Sequence, residues 1–213
     1  MKLLLLALHY TSLCSVLLPA TITTVSFRVL PKTLKLLGVF IFFTLGLEAI
    51  SIVFSKCDIN NLIFFHVHTI VETLFLIHIF MTLIGNKWVY RFGYIFLIGF
   101  VSFAIIHPWI NNSFQEFNSL ERGISGLAIL IFCVIFFGKL IIRLEIERLM
   151  DYPYFLMASG LLFYFSGTLF SFLYANEYLN TTDQTNWLIH SLLNILLNLI
   201  FAITLWKGRK WTS

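Results

Sequence analysis

The sequence predicts an all-α fold: a polytopic membrane bundle of seven transmembrane helices, amino terminus outside and carboxy terminus in the cytoplasm. Three observations carry that prediction. The chain is 59% hydrophobic and 11% charged, with 24 phenylalanines in 213 residues, a balance that water-soluble domains do not tolerate. Apolar runs of about 20 residues, the length that crosses a hydrocarbon core of about 30 Å, recur seven times. The Lys and Arg residues gather in the short connections on one side.

The first span is placed at residues 3–24, opening on a leucine run behind Lys2 and followed by Pro31. A cleaved signal peptide also opens on a basic residue and leucines. Cleavage would put the basic connection of Arg28, Lys32 and Lys35 outside, and no small-x-small site precedes Pro19, so the helix is expected to be retained. The second span, 36–54, is stopped by polar residues 55–61. The third, 62–84, is stopped at Gly85 by the basic connection 85–91. The fourth, 91–107, is the shortest; His107, Pro108 and residues 111–122 are expected to form a polar connection. The fifth covers 123–142, the sixth follows Asp151 and Pro153 at 154–174, and the seventh covers 187–206. Residues 207–213 are too few to fold, so residues 1–213 read as a single transmembrane domain without repeat or linker.

Arg28, Lys32, Lys35, Lys87, Arg91, Lys139, Arg143, Arg148, Lys207, Arg209 and Lys210 fall on one side of these spans, and only Lys2, Lys56 and Arg122 on the other. Eleven of 14 basic residues on one side make that side cytoplasmic. The formal charge of +4 is therefore a topology signal, and no nucleic-acid partner is expected. Trp109 and Trp187 on the outer side, with Trp88, Tyr90, Trp206 and Trp211 on the inner side, fit interfacial aromatic belts. Asn111-Asn112-Ser113 and Asn180-Thr181-Thr182 match the glycosylation sequon on the outer side, a pattern that arises often by chance. Cys14, Cys57 and Cys133 are too scattered for a disulfide framework or a CxxC metal site.

Function is sought in the polar groups within the spans, because each ionisable residue at a helix centre costs roughly 2.5–3.5 kcal/mol to insert. His68 and Glu72 are four residues apart and share a helix face, His66 points nearly opposite, and His78 lies deeper and partly round the helix. On the seventh span His190, Asn194 and Asn198 form a stripe spaced by four. The sixth carries Ser159, Tyr164, Ser166, Thr168 and Ser171 around Gly160 and Gly167. At 1.5 Å per residue Glu48 and His68 both lie about 9 Å in from the outer side, with Glu72 and Tyr164 near mid-bilayer. Glu48, His68, Glu72, Tyr164, His190 and Asn194 are thus the candidate ligand-binding or proton-handling residues, in a cluster that opens outward. Glu48 and His68 are expected to approach each other, and Glu72→Gln to abolish function while leaving insertion and yield intact. The plainer alternative makes these groups interhelical glue, worth about 0.6 kcal/mol each on average.

His68, Glu72 and His190 form a two-His, one-carboxylate set of the kind that holds zinc, but the seventh span offers His-x3-Asn in place of a second pair of histidines. The chain also departs from the fuller histidine set of seven-helix enzymes of the ceramidase and progestin-receptor type. P-loop, nucleophile-elbow and HExxH motifs are absent, and the seventh span has no lysine for a retinal Schiff base.

The stretches HVHTIVE from His66 to Glu72, FYFSGTLF from Phe163 to Phe170 and WLIHSLLNILLN from Trp187 to Asn198 resemble a group of small multi-pass proteins of Bacteroidota. The resemblance implies a stand-alone protein of the bacterial inner membrane. In outline the chain is also similar to seven-helix sensor modules that precede kinases or cyclases, without the effector. The leading expectation is a ligand-binding or membrane-sensing module in the lipid bilayer, acting through a separate signalling protein, with a homodimer supplying what one chain lacks. An intramembrane hydrolase or lipid-modifying enzyme, with Glu72 or Glu48 as base, is the alternative. A small transporter or proton pathway comes third, against which stands the lack of repeats.

Overall fold

A computed structural model describes residues 2–57, 59–143, 148–173 and 185–211 of the chain. Among them are eight α-helices and no strand: α1 (Lys2–Ser15), α2 (Leu17–Ser26), α3 (Lys32–Lys56), α4 (Ile63–Ile84), α5 (Lys87–Asn111), α6 (Ser119–Arg143), α7 (Pro153–Leu173) and α8 (Thr185–Gly208). Six of these, α3 to α8, are long and apolar enough to cross a membrane, and a shorter apolar segment, Tyr10–Ser26, precedes them. The chain is an all-helical, apolar bundle of the kind that sits in a bilayer. The Asn180-Thr181-Thr182 sequon, the end of the sixth predicted span at Tyr174 and the side chains of Lys2, Arg143 and Trp187 lie outside the described residues.

Local chemistry sets the helix ends. The first predicted span is interrupted at Val16, between α1 and α2. Pro19 has no N–H to give the Ser15 carbonyl four residues earlier, so the hydrogen-bond ladder is interrupted there while Val16 keeps helical dihedrals, φ −64° and ψ −22°. Gly85 caps α4 at φ +65°, its N–H bonded to the Met81 carbonyl, a left-handed cap that glycine adopts without strain. Asn86 then starts α5 by accepting from the Trp88 N–H at 2.8 Å.

Two span limits are corrected. The fourth span is not the shortest: α5 runs through His107 and Pro108 to Asn111, which gives it 25 residues. Its turn comes at Asn112, in the left-handed region at φ 50°. The fifth span begins at Ser119, so Arg122, taken from the sequence as an outer loop residue, stands in the first turns of α6.

The helices α4, α6, α7, α8, α1/α2 and α3 follow one another round the bundle, with α5 outside against α4. Small residues set the closest approaches: a Cβ on Gly160 would meet Ile200 Cγ2 at 2.8 Å, and one on Gly167 would meet Leu193 Cδ1 at 2.6 Å. This is how α7 and α8 lie in direct contact without a hydrophobic drive between helices in lipid. The buried apolar core runs through Leu34, Leu37, Ile77, Phe80, Ile129, Phe136, Met157 and Leu205.

At one end of the bundle the connections are basic and locked together. Lys139 Nζ donates to the last carbonyls of α4, Leu83 at 2.6 Å and Ile84 at 2.9 Å, placing a cation at a helix C-terminus. Lys207 Nζ donates to the Met150 carbonyl and to Asp151, and Gly208 abuts Leu34 and Leu30. At the opposite end α2 no longer fills the ring. There α1 leans on α8, and the space between α1 and α3 stays open.

Candidate functional site

A cavity of about 380 Å³ occupies that space, walled by α1, α3, α4, α7 and α8. Glu48, His68, Glu72, Tyr164, His190 and Asn194 all line it, and so does Arg122. Each helix delivers its residues by periodicity. On α4, His68 and Glu72 sit one turn apart on the inner face, while His66 turns away toward the Glu116 carbonyl at 3.3 Å. His78 lies outside the cavity, its ring 6.5 Å from that of Tyr94.

Arg122 is the centre of the polar wall. Its Nη1 lies 3.0 Å from Glu72 Oε2, 3.2 Å from His68 Nδ1 and 3.3 Å from Thr69 Oγ1, and its Nη2 reaches Tyr164 Oη at 3.4 Å. The guanidinium carbon stands 4.5 Å over the Phe172 ring, a cation–π seat that arginine fills better than lysine. Only 5% of Arg122 and 5% of Glu72 is exposed, so the pair is a buried ion pair linking α4 to α6.

The guanidinium fixes the orientation of its neighbours because it donates only. His68 must accept at Nδ1, so its ring carries the proton on Nε2, facing Thr44 Oγ1 of α3 at 3.4 Å. Tyr164 Oη accepts from Nη2 and keeps its own proton for His190 Nε2 at 3.1 Å. The chain of contacts from Thr44 through His68, Arg122 and Tyr164 to His190 thus spans α3, α4, α6, α7 and α8.

Two sequence expectations change here. Glu48 and His68 share the cavity, but the histidine bonds Thr44, one turn away from Glu48 on α3. The suggested metal set also meets an obstacle: Arg122 Nη1 lies within 3.2 Å of both His68 Nδ1 and Glu72 Oε2, occupying the position that a metal bridging them would need. No group of three His, Cys, Asp or Glu side chains among the described residues is arranged to hold a metal.

Asn194 lines the cavity yet serves α1: its Nδ2 donates to Ser12 Oγ at 3.0 Å, as Asn198 Nδ2 does to Ser15 Oγ at 2.8 Å. Glu48 is different. Among the described residues it has no hydrogen bond or ion pair, and its carboxylate faces the cavity from α3. Behind the site Asn118 Nδ2 bonds the Phe65 carbonyl and Thr69 Oγ1, Thr73 meets Ser125 at 2.5 Å, and His107 Nδ1 meets Glu121 Oε1 at 2.8 Å. These contacts hold α4 and α5 against α6 and keep the guanidinium in place.

Arg122 escaped the sequence reading because a basic residue near a span end looks like an interfacial marker. The signal was present. Asn118 with Glu121 three residues on is a helix-start pattern that puts position 122 inside the helix. Comparison with protein-family models, with curated proteins and with solved structures finds no match to this chain.

Proposed function

We propose that the protein is a ligand-binding module of a bacterial inner membrane, oriented with its amino terminus outside, which takes a small or lipidic molecule into the cavity and passes the occupancy to a separate partner. The observation that carries this reading is the cavity itself. At about 380 Å³ it falls in the range of small-molecule sites, roughly 300–1,000 Å³, and it combines apolar walls with a few convergent polar groups. The Arg122 network joins five helices at the cavity wall, so a ligand that competes for any of its hydrogen bonds biases their packing. The outward orientation rests on the eleven basic residues of the other end. The Bacteroidota-like resemblance of the α4, α7 and α8 stretches supports the bacterial setting, and sensing through a partner is the use we assign to the site.

The test is a comparison of organic extracts from detergent-purified wild type and Leu47→Trp, a substitution that fills the cavity from α3. Mass spectrometry is expected to show a molecule retained by wild type in near-stoichiometric amount and lost from the variant. Identical extracts from two well-folded proteins would end the reading.

A further inference from the structure

The cavity has a direction and a carboxyl group without a partner. It reaches the outer surface of the bundle between α1 and α3, where Tyr10 is 58% exposed and Ile52 38% exposed, so the opening faces lipid as well as the end marked by Lys56. Counted along α3, Glu48 lies eight residues inward of Lys56, about 12 Å at 1.5 Å per residue. Phe40 and Ile41 lie about another 10 Å further in, and Leu197 and Phe201 of α8 line the same cavity, with Asn198 between them tied to Ser15. Glu48 therefore stands outward of a group of apolar side chains at the inner end, an arrangement that suits an amphiphile inserted head-outward from one leaflet.

Charge decides which head fits. Of the four charged residues that line the cavity among the described residues, Glu72 and Arg122 neutralise each other at 3.0 Å, and Lys56 is exposed at the mouth. Glu48 alone stands within the span with no partner among the described residues. A carboxylate held in an apolar setting without a hydrogen-bonding partner is costly, and a ligand that brings N–H donors and positive charge relieves that cost. An anionic head would meet Glu48 directly and find the guanidinium already engaged.

We infer that the cavity binds a lipid-soluble amine, an amphiphile whose ammonium group is held by Glu48 and whose chain lies inward along Phe40, Ile41, Leu197 and Phe201. The inference rests on the ligand-binding reading above and adds the class of ligand. Entry is lateral, between α1 and α3, whose residues line the cavity on either side.

Dodecylamine, dodecanol and dodecanoic acid share a chain and differ in the head, and each is offered separately to the purified protein in detergent, with bound ligand read by native mass spectrometry. Dodecylamine is expected to bind about tenfold or more tightly than dodecanol, the margin of one charge-assisted hydrogen-bonded contact. That margin is expected to vanish in Glu48→Gln and to persist in Glu48→Asp, which keeps the charge. Equal binding of amine and alcohol to wild type, or a preference for the amine that survives in Glu48→Gln, overturns the amine assignment. Dodecanoic acid binding best, with loss in Lys56→Gln, also overturns it and leaves the ligand-binding reading standing. Uptake of all three that is unchanged in Leu47→Trp shows that none occupies the cavity and overturns the amine assignment, while the extract comparison decides the ligand-binding reading. If Glu48→Gln does not fold, the ranking of the three probes on wild type and Glu48→Asp still decides the assignment.

Discussion

Replacing Glu72 by Gln keeps the shape of the side chain and removes the counter-charge of Arg122, both residues being 5% exposed. With charge centres about 4 Å apart and an effective dielectric constant near 20, the attraction is about 4 kcal/mol. Removing one member of a buried pair costs roughly 3–5 kcal/mol, because the survivor stays desolvated and unpaired. In a chain of this size each kcal/mol moves Tm by roughly 2–4 °C, so Glu72→Gln is expected to melt at least about 6 °C below wild type. Arg122→Met is expected to lose a similar amount, since it orphans Glu72 and the acceptors on His68 and Tyr164. The double variant Glu72→Gln/Arg122→Met removes both charges and is expected to be more stable than the sum of the single losses predicts, by about 2 kcal/mol or more. Tryptophan-fluorescence melting of the four detergent-purified proteins closes the cycle. Strictly additive losses, or a Glu72→Gln protein within about 1 °C of wild type, would refute the ion-pair argument. A loss of that size would set aside the sequence expectation that Glu72→Gln leaves insertion and yield intact, because the variant would be destabilised before its function is measured.

Three further outcomes are expected. Asn194→Ala and Asn198→Ala each remove one hydrogen bond that ties α1 to α8, and each is expected to cost about 0.6 kcal/mol, read as a Tm drop of a degree or two; an unchanged Tm in the double variant would show that the tether contributes nothing. Asp151, exposed beside Lys207, has its carboxyl held below the ordinary value of 3.8 by the hydrogen bond from that ammonium and then by its charge. A depressed folded-state value means that the contact is complete above the ordinary value and is lost as pH falls through the folded one, so an NMR titration is expected to show the Asp151 midpoint below 3.8 in wild type and closer to it in Lys207→Gln. A green fluorescent reporter fused after Ser213 is expected to be bright and an alkaline phosphatase fused there inactive, from the basic asymmetry of the loops; the reverse pattern inverts the topology.

Length and hydropathy made the bundle readable, because a span needs about 20 apolar residues whatever its neighbours are. Termini were harder. Pro108 looked like a stop, yet α5 carries it for a further turn to Asn111. Pro108 removes one hydrogen bond, to the Ala104 carbonyl four residues earlier, and α5 carries that single loss for its last turn. Pro19 interrupts the hydrogen-bond ladder of the first span at Val16, while the hydropathy and the helical dihedrals run on. The tie between α1 and α8 was legible only as half a pattern. Asn194 and Asn198 are spaced by four on one face, and their partners Ser12 and Ser15 by three on another, a match in register that no single helix displays.

The central gap in the sequence reading was a missing cation. Two intramembrane carboxylates, two histidines and a tyrosine without positive charge invite a metal as the group that balances them. Once Arg122 is inside α6, half of that demand is met: the guanidinium neutralises Glu72 and orders His68, Tyr164 and His190 through donor bonds alone. The other half is not. Glu48 stands across the cavity, and among the described residues no second arginine or lysine within the span meets it. Had Glu48 been glue between helices, a donor on α1, α4 or α8 would be expected to meet it, as Ser12 meets Asn194 and Thr44 meets His68. A carboxylate that the fold leaves to a cavity is one whose partner comes from outside the chain, and for that reason the ligand, rather than the bundle, is where the chemistry of Glu48 has to be sought.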